Sequence, residues 1–302
     1  MANLKQLFEH AEKILSVAKE KSHDELMFTY KGVLYPSILC SEEMFQALDA
    51  FEFRPDDLLM VSYPKCGTNW TQHILYDMVY TISNQEPPGE IPMLEFGTPQ
   101  KLERLSNLPS PRVLITHLHR DYLPEQVFTK KLKTLVVFRN PKDNAVSLFH
   151  FHLGNPLLPK YNSWDEFFTV FMSGEVNFGS YFDHAIAWNK HIEDENVLII
   201  MFEDMKKDLI AAISQIADFF SIHLTKEQIE LIATNGSFKT MKEKSTETHG
   251  PMGKFIFRKG EVGDWKNYFS EAQSLEMDAK FEACLAGTKI GEKMKYNVYC
   301  KA

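Results

Sequence analysis

The stretch YPKCGTNW, residues 63–70, follows the apolar run Leu58-Leu59-Met60-Val61. A strand that ends in a lysine and turns through a glycine into a helix gathers backbone amides and a cation at one point. Gly67 lets the chain turn tightly and approach a ligand closely. The amides near Thr68 and Asn69 would open a helix, at the end where the dipole favours anions. Lys65 adds a full positive charge, so the stretch reads as a phosphate cradle. It is not a Walker A loop, which places its lysine after the second glycine as GxxxxGK[ST]. Taken alone, a plain strand–turn–helix with a solvated lysine fits the same residues.

Three further apolar runs read as strands: Val113 to Leu118, Thr134 to Phe138 and Val197 to Phe202. They show little polar alternation, as strands buried on both faces do. Helical spacing follows the first strand in Trp70, Ile74, Leu75, Met78, Val79 and Ile82. It recurs in Leu209, Ile210, Ile213, Ile216, Ala217 and Phe220. Capping-box pairs at Ser163/Glu166, Thr225/Gln228 and Ser270/Gln273 mark other helix starts. Strands alternating with helices predict an α/β fold, a central parallel sheet flanked by helices. Ligands of such sheets sit beyond the carboxyl ends of the strands.

A second strand end carries FRNPKDNAVS, residues 138–147. Asn140 suits an N-cap, Pro141 the first helical position and Asp143 the first turn. Arg139 stands just before that helix and Ser147 two turns into it. A third piece, FIFRKGEVGDWKNYF, residues 255–269, reads as a loop able to fold over a charged ligand through Arg258, Lys259 and Gly260.

The 302 residues form a single expected domain, 1–302, with 1–27 as an amphipathic helical segment packed on it. A net charge of −8 argues against a nucleic-acid partner. No apolar run reaches the ~18 residues a membrane span needs, and the N-terminus lacks the apolar core of a signal peptide. Cys40, Cys66, Cys284 and Cys300 show no CxxC spacing and suit free thiols in a reducing cytosol.

Together these segments resemble the cytosolic sulfotransferases. The family's YPKSGTxW is YPKCGTNW here, and its RKGxxGDWKNxF is RKGEVGDWKNYF. The resemblance runs from about Phe28 to Thr288, and THLH, FRNPKD and KYNVYC look most like the family-six (6B-like) branch. It implies a P-loop-like fold and transfer of a sulfonate group from 3'-phosphoadenylyl sulfate (PAPS) to a small hydroxyl acceptor, leaving PAP, with no metal. It implies that Lys65, Cys66, Gly67, Thr68 and Asn69 cradle the 5' end of the donor, with Trp70 near the adenine. Arg139, Ser147, Arg258, Lys259 and Gly260 would bind the 3'-phosphate, and Ser237 and Phe238 would meet the adenosine.

In ITHLH, His117 and His119 fall on the second buried strand and share a face by strand alternation. By the resemblance, His117 is the general base, a role suited to imidazole, and Lys65 stabilises charge on the leaving phosphate. HxH spacing at 117/119 and at 150/152 also raises a metal reading, but zinc needs three or four convergent ligands. His150 and His152 follow a helical segment and need not face one another.

The chain departs from the family at several points. Cys66 replaces a serine, and a helix N-terminus beside Lys65 would lower its thiol pKa. Ile115 stands where many members have a lysine. Phe202 replaces a tyrosine and Gly236 a threonine near the nucleotide. The dimer motif KxxxTVxxxE gives Ser270, Glu271 and Leu275 at its diagnostic positions, so the family's homodimer does not follow from this sequence. Phe28, the loop from Pro87 to Phe96 and Phe149 to Leu153 are candidate walls of an apolar acceptor pocket, for phenols, iodothyronine-like phenols or steroid-like alcohols. The alternative is a PAPS- or PAP-binding protein with weak or lost catalysis. A kinase-like phosphotransferase reading finds neither the Walker order nor an acidic metal motif in this sequence.

Overall fold

The structure, a computed structural model, describes residues 14–81, 84–88, 90–245 and 253–301. Met27–Tyr30 (β1) and Val33–Pro36 (β2) pair as an antiparallel hairpin. Leu58–Ser62 (β3), Val113–Thr116 (β4), Thr134–Phe138 (β5) and Val197–Met201 (β6) form a parallel sheet in the order β4-β3-β5-β6. β3 is flanked by β4 on one side and β5 on the other.

The sheet is buried on both faces, and side chains alternate between two cores. Leu59, Val61, Leu114, Val136, Phe138, Ile199 and Met201 enter one, with Leu148 and the aromatic set Phe167, Phe171 and Trp188. Leu58, Met60, Val113, Ile115, Leu135, Val137 and Ile200 enter the other, with Ile74, Leu75, Ile213 and Ile216 from the helices spaced for it. Continuous Val/Ile/Leu runs are what such two-sided burial requires.

The capping boxes at Thr225/Gln228 and Ser270/Gln273 form in full; at Ser163 the side chain accepts the Glu166 amide, but the Glu166 carboxylate accepts from Asn162 instead. Asn140 caps the helix Pro141–Gly154, with Pro141 opening it.

Several elements differ from the sequence reading. β4 stops at Thr116, where its ladder with β3 ends, so His117 and His119 are not strand residues. The cause is local: Thr116 Oγ1 accepts the Leu118 N–H at 3.0 Å, which diverts the backbone from the sheet. His119 then caps the short helix Arg120–Tyr122 through its ring. β6 stops at Met201, and Phe202 opens the helix Phe202–Lys207, whose first turn is acidic and last turn basic, matching the dipole. His150 and His152 lie within Pro141–Gly154 rather than after it. The short hairpin β1–β2 escaped detection because its strands are half-exposed and carry no buried run. Of the N-terminal segment, residues 14–20 are helical; 1–13 and Ile82 lie outside the described residues.

The amino ends of β3 and β4 are pinned by a buried pair. Arg112 bonds both oxygens of Asp57, at 2.7 and 2.5 Å, and the Glu52 carbonyl at 2.9 Å. Replacing Asp57 by alanine would strand a buried guanidinium. We expect Asp57→Ala to lose about 3–5 kcal/mol in chemical denaturation while PAP affinity of the folded fraction stays unchanged, since the site lies at the other end of these strands.

Candidate active site

Beyond β3, the chain turns through Tyr63 to Gly67 into the helix Thr68–Tyr76. Lys65 and Gly67 both take left-handed φ, 69° and 107°. A Cβ on Gly67 would stand 2.9 Å from the Phe202 ring, so the position excludes side chains by space as well as conformation. The loop is fixed from behind: Tyr63 Oη donates to the Gly179 carbonyl at 2.8 Å and Asn144 Nδ2 to that of Pro64 at 2.8 Å.

Lys65 is half-buried, its ammonium 4.1 Å from the centre of the Phe151 ring. Removal from water, reinforced by Arg139 and Arg258, pulls its pKa down to about 7. A lysine depressed by burial and by two neighbouring guanidinium groups marks a place short of negative charge. Arg139 is 6% exposed. It donates to the Glu261 carbonyl at 2.7 Å and lies over the Phe202 ring, yet its Nε has no hydrogen-bond partner. A buried guanidinium donor without an acceptor marks room for a ligand oxygen.

Arg258 and Lys259 contact Asp264 at 2.5 and 2.6 Å. Burial would raise the Asp264 pKa, but these bonds and one from Asn267 outweigh it and hold it near about 2. The loop is carried by Asp143, which accepts the amides of Gly263 at 2.7 Å and Trp265 at 3.0 Å. The sequence match RKGEVGDWKNYF is therefore a folded unit docked on the helix that Arg139 precedes.

Between these cations lies an aromatic slot. Trp70 meets Phe202 edge-on at 5.2 Å, and Lys206 reaches toward both Trp70 and Phe238. Gly260, at φ 65°, touches Phe238 so closely that a Cβ would come within 2.3 Å of that ring.

His117 completes the cleft. Its Nδ1 lies 2.7 Å from the Ser62 carbonyl, which can only accept, so Nδ1 carries the proton and Nε2 the lone pair. Its backbone N–H donates to Glu95 Oε1 at 2.8 Å. Phe178 and Phe96 wall the ring at 5.2 and 6.3 Å. Burial holds the imidazole pKa down to about 4; the Ser62 bond opposes this and Lys65 adds to it. The ring is neutral at physiological pH.

One cleft, open at its mouth, is lined by Lys65, Gly67, Thr68, Asn69 and Trp70 of the first segment and by His117. Arg139, Ser147, Phe202, Phe238, Arg258, Lys259 and Gly260 line its remaining walls. Three residues expected there stand behind it. Cys66 is buried against Asn144, 3.3 Å from its Nδ2, and burial pushes its thiol pKa up, so the expected activated thiol is corrected. Gly236 ends the helix Lys226–Asn235 and holds Trp70, accepting its indole N–H at 2.6 Å. Ser237 caps the helix Phe238–Glu243. Ile115 is fully buried in the second core.

Sequence reasoning gave Phe151 only as part of a candidate acceptor wall and missed Lys206. Each lies four residues after an identified site residue, Ser147 and Phe202, on the same helix, and that spacing was the available signal. Phe178 had no such signal. Of the proposed acceptor wall, Phe96 and Phe151 reach the site, Phe149 packs into the core, and Phe28 stacks on Phe45 in the hairpin region. His152 is engaged by Pro159 and Asn177 at 2.8 and 2.7 Å. Among the described residues no cluster suited to a metal ion occurs, and no helix is long and apolar enough to cross a membrane.

The sulfotransferase domain family matches residues 55–296. Sulfotransferase 6B1 of Mus musculus is 51% identical over 303 residues, covering all of both chains. Sulfotransferase 6B1 of Danio rerio is 48% identical, over 95% of this chain and 97% of its own. Mouse sulfotransferase SULT7A1, solved in complex with PAP, superposes with a TM-score of 0.82 at 33% identity, over 92% of this chain and 99% of that one. Retinol dehydratase, at 21% identity and a TM-score of 0.74, shares the fold.

The depressed Lys65 pKa gives a signed prediction. An anion in the cleft raises that pKa from about 7, so binding of PAP takes up a proton as pH rises above neutrality. PAP affinity should fall from pH 7 toward pH 9, and calorimetry in buffers of different ionisation heat should record the uptake. Lys65→Arg, always charged, should abolish both effects.

Proposed function

The chain belongs to the sulfotransferase family and uses PAPS as its donor, and we propose that it sulfonates the hydroxyl of a small, largely apolar acceptor with His117 as general base. The acceptor class is a phenol or a steroid-like alcohol. The described residues act as one domain.

The observation that carries this reading is the hydrogen bond from His117 Nδ1 to the Ser62 carbonyl. It leaves the Nε2 lone pair for a hydroxyl proton, in a cleft that Lys65 also lines. The depressed pKa keeps the base unprotonated at neutral pH.

The residues present fit the donor. The unpartnered Nε of Arg139 and the cations around Lys65 call for anionic groups, and the slot of Trp70, Phe202 and Phe238 suits a planar base. Bound PAPS supplies the sulfonate group, which moves from a phosphate oxygen to the acceptor oxygen. Lys65 would offset charge growing on that phosphate, whether by its full charge or by its donors. Arg139, Ser147, Arg258 and Lys259 would hold the 3'-phosphate, with Asp264 yielding part of its bonding to Arg258 and Lys259. Phe96 and Phe178 give the base an apolar flank that excludes water and favours an apolar acceptor.

Transfer of labelled sulfonate from PAPS to a panel of phenols, steroids and amines tests the proposal. His117→Ala should lower kcat by roughly 10²–10⁴-fold with PAP affinity unchanged. The acid limb of kcat/KM should fall near pH 4 rather than 6.5, because the free base titrates at about 4. Full activity in His117→Ala would remove the base assignment. Tight PAP binding without transfer to any acceptor would favour the nucleotide-binding module.

A further inference from the structure

Glu95 is fully buried. It is held in a strip, Pro92 to Phe96, that extends the sheet edge beside β4. Leu94 N–H donates to the Ile115 carbonyl at 2.7 Å, Ile115 N–H donates to that of Pro92 at 2.9 Å, and Met93 bridges Ile115 in parallel register. Lys101, 4% exposed, ties down the strip by donating to the carbonyls of Met93 and Phe96, the latter at 2.8 Å. Within this frame Glu95 Oε1 accepts the N–H of His117 at 2.8 Å, and Oε2 has no hydrogen-bond partner.

That bond falls at a particular place. The β3–β4 ladder ends at Thr116, so His117 is the first residue without a strand partner. A buried amide left there would be an orphan donor in a site that must hold one geometry. The Glu95 side chain supplies the missing acceptor. The ring is then fixed at two points, the backbone by Glu95 and Nδ1 by Ser62. The next residue of the same strip, Phe96, faces the ring.

We propose that Glu95 is a positioning residue for the general base: its carboxylate oxygen replaces the strand partner that His117 lacks and thereby sets where Nε2 points. The proposal rests on the reading of His117 as base. It assigns Glu95 a task distinct from nucleotide binding, since Glu95 does not line the nucleotide cleft. Burial raises the Glu95 pKa, opposed first by the bond from the His117 N–H and less by the ammonium of Lys101, which bonds the strip's carbonyls and does not take over the bond to His117.

The test uses Glu95→Gln, Glu95→Asp and Glu95→Ala in the full chain, with His117→Ala alongside. Glutamine keeps an oxygen at the same reach without the charge. Aspartate keeps the charge but withdraws the oxygen by one methylene. If Glu95 works through position, Glu95→Gln retains most of the wild-type kcat, and Glu95→Asp and Glu95→Ala lose about 10–100-fold. PAP affinity, read by calorimetry, stays at the wild-type value in all of them. Should Glu95→Ala fail to fold, the Gln/Asp contrast decides alone. Wild-type kcat in Glu95→Asp, a Glu95→Gln as impaired as Glu95→Asp, or PAP affinity falling in step with kcat would each overturn the proposal. A fully active His117→Ala would instead overturn the base assignment beneath it.

Discussion

The site depends on Ser62, the last residue of β3. Its carbonyl accepts a hydrogen bond from His117 Nδ1 at 2.7 Å, and its hydroxyl lies 2.9 Å from that of Thr68, the first residue of the helix behind the anion loop. One residue thus joins the two halves of the chemistry: a base that must hold a lone pair, and a loop that must hold a charged donor. Because β3 lies between β4 and β5 in a sheet buried on both faces, Ser62 cannot move without disturbing both cores. The rigidity of the sheet is what gives the hydrogen bond its directing force.

Around that point the electrostatics are arranged at a cost to the free protein. Lys65 and Arg139 face a common space, and neither pairs with a carboxylate among the described residues. Burial and mutual repulsion depress Lys65, and Arg139 keeps an unused donor. Arg258 and Lys259 are in part quenched by Asp264, which keeps their loop folded and leaves cationic groups beside the cleft. A nucleotide carrying anionic groups at both ends relieves this imbalance, so affinity comes largely from charges already in place. His117 is tuned the other way. Its burial and the nearby lysine keep it neutral, as a general base must be before the reaction.

Much of this was legible in the sequence because it rests on local rules. The apolar runs gave β3 and β5, the Asn140-Pro141 pair gave the helix start, and the glycine after Lys65 gave the cradle. The two anion loops carried enough specific residues to point to the family. What stayed hidden depends on contacts between distant segments. Whether β4 reached His117 was decided by Thr116 turning its hydroxyl onto the backbone. Cys66 looked exposed to a helix dipole, yet it faces inward toward Asn144. Phe178, held at φ 67° against the base, and Glu95, 22 residues before it, have no pattern that announces them. Gly236 serves the adenine slot through its carbonyl, a role no side-chain comparison would assign.

The central claim is that Ser62 fixes His117 as the Nδ1–H tautomer with a free, weakly basic Nε2. Heteronuclear NMR of protein labelled at histidine nitrogens measures this directly, with His117→Gln used to assign the ring. The account predicts a protonated Nδ1 and an unprotonated Nε2 at neutral pH, with titration near 4. An Nε2–H tautomer, or a His117 that titrates at 6.5 or above, would contradict it.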